Sequence, residues 1–189
     1  MELLKQKILE CGKALDGDVL LVDAFLNNQV DAELMLEIGR EFARRFADAG
    51  IQRVVTVEAS GIAPAVMTAL EMRVPMVIMK KSKSRILSDD ILQTEVFSFT
   101  KNAPYTLTLK KQYVGEGERV LLIDDFLANG AAAFGAIELI EAAGARIAGI
   151  GAVIGKTFQP GKQKLLDAGY RLEILAPVCR MSKDLIEFE

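Results

Sequence analysis

The sequence predicts an α/β protein with a mostly parallel central sheet flanked by helices, and two observations carry that reading. Continuous Val/Ile/Leu runs recur along the chain, as in "RVVTV", "RVLLI" and "RIAGIGAVI", the pattern of strands buried on both faces. Helix-length stretches separate these runs, and alternation of strand with helix is the signature of parallel pairing. With 189 residues, a single domain spanning residues 1–189 is expected.

The elements follow in order. A helix is expected over about residues 2–14, with Leu3, Leu4, Ile8 and Leu15 at roughly helical spacing. The apolar stretch "DVLLVDAFLNNQV" ends in the turn-forming Asn27 and Asn28. Asp31 is suited to cap the next helix, "DAELMLEIGREFARRFADAG". Leu34, Ile38, Phe42 and Phe46 there repeat every four residues, and Gly50 occupies a C-terminal cap position. "RVVTVEA", "PMVIMKK", "RVLLIDDF", "RIAGIGAVIG" and "RLEILAP" read as strands. "GIAPAVMTALEM", "AAAFGAIELIEAAG" and "KQKLLDAG" read as helices between them. One segment departs from this alternation: "TEVFSFT" and "YTLTLKK" flank "KNAP" and read as an inserted antiparallel pair. With "SKSRILSDD" before it, the pair forms a long excursion, a common form for a lid over a site.

Composition narrows the chemistry. The net charge is −3, which argues against a nucleic acid held by general electrostatics. Cys11 and Cys179 have no metal spacing and no disulfide framework. The N-terminus "MELLKQKILECGKAL" has no signal-peptide pattern, and no run reaches the ~20 apolar residues of a membrane helix. A cytoplasmic protein without membrane contact is expected. The chain contains no histidine, which removes histidine triads, metal sites and proton relays.

In open α/β sheets ligands sit beyond the carboxyl ends of the strands. "RVLLIDDF" delivers Asp124 and Asp125 to that end, and "LANGA" leads into the next helix, expected to begin near Ala132 or Ala133. Amides of such a turn and of a helix N-terminus make an anion cradle, and small residues let backbone approach it. A phosphate suits the loop, whereas two carboxylates call for hydroxyls. A ribose 5-phosphate offers both. A response-regulator receiver also has an acidic pocket after an apolar strand, but on its first strand, with an aspartate about one βαβ unit later. Here the pair lies past mid-chain and no strand-end aspartate follows at that distance.

Four apolar residues, two acids and a small-residue loop resemble the phosphoribosyl pyrophosphate (PRPP) signature of type I phosphoribosyltransferases. "VEASG", "KKSKSR" and "GKTF" extend that resemblance over most of the chain. "LLVDAFLNNQVD" and "DDFLANGAA" resemble the xanthine-accepting branch in particular. The resemblance implies a type I phosphoribosyltransferase fold, with a base-binding hood at about residues 1–30 and an antiparallel lid at about 82–112. It implies transfer of 5-phosphoribosyl from PRPP to xanthine, giving xanthosine 5′-monophosphate and pyrophosphate, by a homodimer. Asp124 and Asp125 would hold the ribose at the reacting centre. Ala128, Asn129, Gly130, Ala131 and Ala132 would hold PRPP, and Leu20, Asn27 and Lys156 would hold xanthine. Ser60, Gly61 and Lys81 would meet the pyrophosphate, within a basic run that includes Lys80, Lys83 and Arg85. Mg2+ would arrive with PRPP, bound mainly by substrate oxygens and water, with no dedicated protein metal site.

Read without the resemblance, Leu20 is core and Asn27 a turn residue. Lys156 has its own logic: an ammonium donates to a 6-oxopurine carbonyl, whereas adenine's amino group cannot accept from it. Phe158 is suited equally to stacking on a purine and to the core. The loop departs from relatives that carry threonines, since Asn129 and the alanines supply no hydroxyls to a phosphate. Two alternatives remain: a hypoxanthine or guanine phosphoribosyltransferase, and a non-catalytic PRPP-sensing regulator. The latter needs a DNA-binding module, for which the residues before the first strand are too few and too acidic.

Overall fold

Val54 and Val55, like Leu121 and Leu122, are neighbours in sequence yet are buried in two different apolar clusters. That is the consequence of a sheet covered on both faces, and it explains the unbroken apolar runs. The computed structural model describes residues 1–15, 19–82, 90–98, 102–183 and 185–189.

The order is α1 (Glu2–Cys11), β1 (Lys13–Ala14), β2 (Leu20–Leu21), a π-helical turn (Asp23–Asn27), α2 (Ala32–Arg45), β3 (Arg53–Val57), α3 (Ile62–Met72) and β4 (Met76–Met79). It continues with β5 (Ile91–Ser98), β6 (Ala103–Lys110), β7 (Arg119–Leu127), α4 (Ala131–Ala142), β8 (Arg146–Lys156), α5 (Gly161–Asp167), β9 (Leu172–Ser182) and β10 (Leu185–Phe188). The main sheet has the order β10-β9-β8-β7-β3-β4. Its strands pair in parallel, except for β10 against β9. The carboxyl ends of β3, β4, β7, β8 and β9 therefore share one edge.

One face carries α1, α2 and α3 through Leu4, Ile8, Leu34, Ile38, Phe42 and Ala65. The opposite face carries α4, α5 and the β5–β6 hairpin through Val96, Leu107, Ala136, Ile140 and Leu165. The glycines of β8 have a packing reason. A Cβ at Gly149 would overlap the Phe46 ring, and one at Gly151 would lie 2.6 Å from both Phe42 and Ile123.

Several boundaries differ from expectation. Helix α1 stops at Cys11 rather than near residue 14, because Gly12 is extended (φ −79°, ψ 155°) and Lys13–Ala14 pair with Leu20–Leu21. Asp31 caps α2 as expected, its carboxylate accepting from the Leu34 N–H at 3.1 Å. Gly50, at φ +59°, follows a further turn instead of capping the helix; Phe46 is the capping residue. Strand β9 runs past the expected "RLEILAP" to Ser182 and returns as β10, an edge strand whose alternating, partly polar pattern gave no apolar run.

The antiparallel pair is longer than the sequence pattern indicates, with Val96 opposite Tyr105 and Ile91 opposite Lys110. Its strands are docked rather than free-standing. Val96 packs against α4 where Gly135 leaves room, and Thr94 Oγ1 donates to Glu138 at 2.9 Å. Thr108 exchanges backbone hydrogen bonds with Lys80 at 2.9 and 3.0 Å. Residues 83–89 and 99–101 of the expected lid, with Lys83 and Arg85, lie outside the described residues.

Candidate active site

Asp124 and Asp125 stand half-buried near the carboxyl end of β7, in the middle of the site edge. The Asp125 N–H donates to Asp124 Oδ1 at 3.1 Å. Burial and the neighbouring Asp125 push the Asp124 carboxyl well above the ordinary carboxylate range, and the Lys81 ammonium offsets part of this. Burial, and then the Asp124 charge, push the Tyr105 phenol up as well. Lys81 Nζ sits 5.7 Å from the Tyr105 ring centroid. Three elements thus converge on one carboxyl group: β7, β6 and the segment after β4.

The small-residue loop is shorter than expected. Leu127 still belongs to β7, and α4 begins at Ala131, so the connection is Ala128, Asn129 and Gly130 alone. Gly130 takes φ +88°, a conformation open to glycine and costly for most other residues. Asn129 Oδ1 accepts from the Ala131 N–H at 2.9 Å. The first intrahelical bond runs from the Phe134 N–H to the Gly130 carbonyl. The Ala131, Ala132 and Ala133 amides therefore lie at the positive end of the helix dipole without intrahelical acceptors. Ala131 and Ala132 are thus first-turn helix residues rather than loop residues.

A contributor not identified from the sequence supports this loop from behind. The Gly161 N–H, at the start of α5, donates to the Ala128 carbonyl at 3.0 Å. A Cβ at Gly161 would overlap that carbonyl and come within 2.8 Å of the Gly130 nitrogen. The "PG" dipeptide in the sequence marks a turn but carries no sign of this contact. Tyr105 was likewise unmarked, since its approach to Asp124 depends on how the hairpin docks.

The turn after β3 lies beside the acidic pair. Glu58, Ala59 and Ser60 lead into α3, with Gly61 at its N-terminal cap position. A Cβ on Gly61 would overlap Thr56 Oγ1 and sit 3.3 Å from Asp124 Oδ1. Glu58 ties this turn to the β4 end. It accepts from the Lys81 N–H at 2.6 Å and pairs with Lys80 Nζ at 2.9 Å. Burial raises the Glu58 pKa, but the Lys80 ammonium and the Lys81 amide outweigh it and hold the carboxyl below its ordinary value.

Lys156 is the last residue of β8, and its Nζ lies 5.6 Å from the Phe126 ring centroid. The chain beyond is held by Thr157, whose N–H donates to the Val178 carbonyl at 2.8 Å. Leu20 is only 5% exposed and shares an apolar cluster with Val22, Phe25, Val178 and the partly buried Phe126. Asn27 is exposed at the end of the π-helical turn. Phe158 is 43% exposed, so it is not a core aromatic. The fold brings Asp124, Asp125, residues 128–132, Ser60, Gly61, Lys81 and Lys156 to one edge. Leu20 joins through the apolar layer beneath it, and Asn27 faces solvent.

The phosphoribosyl transferase domain family matches residues 27–174. A xanthine phosphoribosyltransferase of Exiguobacterium sp. is 56% identical over 188 residues, covering 100% of this chain and 97% of its own. A xanthine phosphoribosyltransferase of Clostridium botulinum is 53% identical over 189 residues, covering both chains in full at 100%. Among solved structures, adenine phosphoribosyltransferase from Thermoanaerobacter pseudethanolicus superposes with a TM-score of 0.75 at 23% identity, over 91% of this chain and 98% of its own. The Trypanosoma brucei adenine phosphoribosyl transferase, in complex with AMP, pyrophosphate and ribose-5-phosphate, gives 0.74 at 22% identity, over 90% of this chain and 77% of its own. At these identities the structural matches establish the fold.

Proposed function

The chain belongs to the phosphoribosyl transferase family, and from that premise we infer that it transfers the 5-phosphoribosyl group of PRPP to xanthine. The products are xanthosine 5′-monophosphate and pyrophosphate, a purine-salvage reaction. One observation carries the transfer chemistry: the half-buried Asp124–Asp125 pair stands two residues before a glycine turn and a helix N-terminus. Hydroxyl-accepting and phosphate-accepting groups thereby stand a few residues apart on one rigid strand–turn–helix. The choice of xanthine rests on the full-length similarity to enzymes of that name.

In this reading the carboxylates of Asp124 and Asp125 accept from the ribose hydroxyls and favour positive charge developing on the ring, as in glycoside cleavage. The amides of residues 128–132 hold the 5-phosphate. Ser60, Gly61 and Lys81 face the pyrophosphate and neutralise it as it leaves. Lys156 donates to a xanthine carbonyl, with Leu20 and Asn27 completing the base site. Xanthine is acidic enough to lose its proton without a histidine. The segment at about 82–112 covers the reaction, with β5 and β6 anchored on α4, and residues of about 1–30 form the hood over the base.

Among the described residues no three His, Cys, Asp or Glu side chains cluster closely enough to cage a metal. The site's carboxylate oxygens suit a hard cation but are too few to bind one unaided. They fit Mg2+ carried by PRPP oxygens and water, with Asp124 and Asp125 as the adjacent carboxylates. When bound, Mg2+ supplies charge neutralisation of the pyrophosphate. Among the described residues no helix is long and apolar enough to cross a membrane. Exposed Val66 and Leu70, one turn apart on α3, support a homodimer. The free Cys11 and Cys179 support a cytoplasmic setting.

Pyrophosphate release from PRPP and Mg2+ tests the reading, with xanthine, guanine, hypoxanthine, adenine and orotate in parallel. Fastest turnover on xanthine is expected. PRPP binding without turnover on any base would overturn it in favour of a ligand sensor, and a faster rate on guanine or hypoxanthine would reassign the base. Gly161→Ala is expected to weaken PRPP binding about tenfold, the equivalent of one lost hydrogen bond. Calorimetry with PRPP checks this; unchanged affinity would show that the loop does not depend on its backing.

A further inference from the structure

Thr56 is the penultimate residue of β3 and is fully buried, and its Oγ1 has no hydrogen-bond partner among the described residues. A hydroxyl buried in this way carries a desolvation cost here, and any state that gives it a partner is favoured by relieving that cost. Its direction is informative. It points at Gly61, where an added Cβ would overlap Thr56 Oγ1 and approach Asp124 Oδ1 to 3.3 Å. The orphan hydroxyl therefore lies against the start of α3, an 11-residue helix, on the same flank of Gly61 that Asp124 Oδ1 approaches. Its strand neighbours are apolar: Thr56 is in register with Ile78 on β4 and Ile123 on β7.

We propose that Thr56 is a positioning residue for the Glu58–Gly61 turn, its hydroxyl bonding the turn in the anion-bound arrangement. This rests on the assignment of that turn to pyrophosphate. A peptide unit is planar, and in a trans unit the N–H and C=O point in opposite directions. When the Gly61 amide turns outward to an anion, the Ser60 carbonyl of the same unit turns inward, where Thr56 Oγ1 stands as a donor. The neighbouring carbonyls already have partners: Ala59 O accepts from the Ile62 N–H at 3.1 Å, and Gly61 O from the Ala65 N–H at 3.1 Å. The hydroxyl thus favours the anion-bound turn over the unliganded one, and removing it shifts the balance away from binding. Gly61 is required by the same geometry, since no side chain fits between the hydroxyl and the peptide that must turn above it.

The test compares Thr56→Val, Thr56→Ala and Thr56→Ser with the unmodified protein by calorimetric titration with magnesium pyrophosphate and with xanthine, and by thermal melting of each protein alone. The expected result is about a tenfold loss of pyrophosphate affinity in Thr56→Val, matching one hydrogen bond. Xanthine affinity and the melting temperature without ligand should be unchanged or higher. Thr56→Ser, which keeps the hydroxyl, should bind within about twofold of the unmodified protein. Thr56→Ala serves the same purpose should valine impair folding. Equal pyrophosphate affinity in unmodified protein and Thr56→Val would overturn the proposal, because the hydroxyl would then be passive. Equal losses in Thr56→Val and Thr56→Ser would also overturn it, pointing to packing. An unmodified protein that binds PRPP but no pyrophosphate would remove the pyrophosphate assignment itself, and this inference with it.

Discussion

Lys156→Ala should reduce kcat/KM for xanthine by about 100-fold, the upper range for loss of one charge-assisted hydrogen bond, while PRPP affinity stays within about twofold. Lys156 ends β8, in register with Val178 of β9, one residue after Gly155 pairs with Leu127 of β7, so the strand before it is fixed on two sides and the variant retains it. The ammonium lies 5.6 Å from the centre of the Phe126 ring, a cation–π contact over the apolar layer that contains Leu20. A cation held this way meets a carbonyl acceptor with little reorganisation, so a base that offers the acceptor is favoured over one that does not. The discriminating measurement is pyrophosphate release across the panel of bases. Xanthine turnover should collapse in the variant, while any residual adenine rate should not fall with it. Unchanged xanthine turnover would show that carbonyl recognition resides elsewhere.

Asp124→Asn should have opposite effects on activity and stability. Turnover should fall by on the order of 100-fold, the scale set by losing one preorganised electrostatic contact at a reacting centre. The unliganded protein should nonetheless become more stable at neutral pH. The Asp124 carboxyl has a folded-state pKa raised above its unfolded value by burial and by Asp125. Below the unfolded pKa the carboxyl is protonated in both states and costs nothing. As pH rises through the folded pKa the charge is forced on a site that disfavours it, and stability is lost. The asparagine variant carries no such charge. Its melting temperature should exceed that of the unmodified protein by several degrees at pH 8, with the difference shrinking toward about pH 4, near the ordinary carboxylate pKa. A difference independent of pH would mean that the strain at this position is steric rather than electrostatic.

The residues that were legible in the sequence are those whose chemistry is local. Asp124, Asp125 and the Ala128–Gly130 turn follow one another along the chain, so their strand–turn–helix could be read from a dozen residues. Lys81 and Lys156 come from the resemblance, and their shared edge is legible because each follows an apolar run whose carboxyl end a parallel sheet places there. Tyr105 and Gly161 were not legible. Tyr105 approaches Asp124 only because the hairpin docks on α4 through Val96 and Leu107. Gly161 touches the Ala128–Gly130 turn only because α5 begins beside it. The ends of α1 and β9 were misjudged for a related reason: an extended Gly12 and an edge pairing with β10 outweighed local periodicity.

By itself the sequence determined the α/β class, the succession of the main strands along the chain, the acidic pair with its glycine turn, and a chemistry without histidine. Each of these depends on residue type and short-range spacing, which the chain carries whatever its neighbours are. Tertiary structure alone decided the strand order β10-β9-β8-β7-β3-β4, the convergence of three elements on Asp124, and the contact of Gly161 with the Ala128–Gly130 turn. It also decided that Thr56, which reads as one more residue of a buried strand, carries an unpartnered hydroxyl beneath Gly61. Those features depend on contacts between residues far apart in sequence, and such contacts are set by how two-sided packing closes around the sheet.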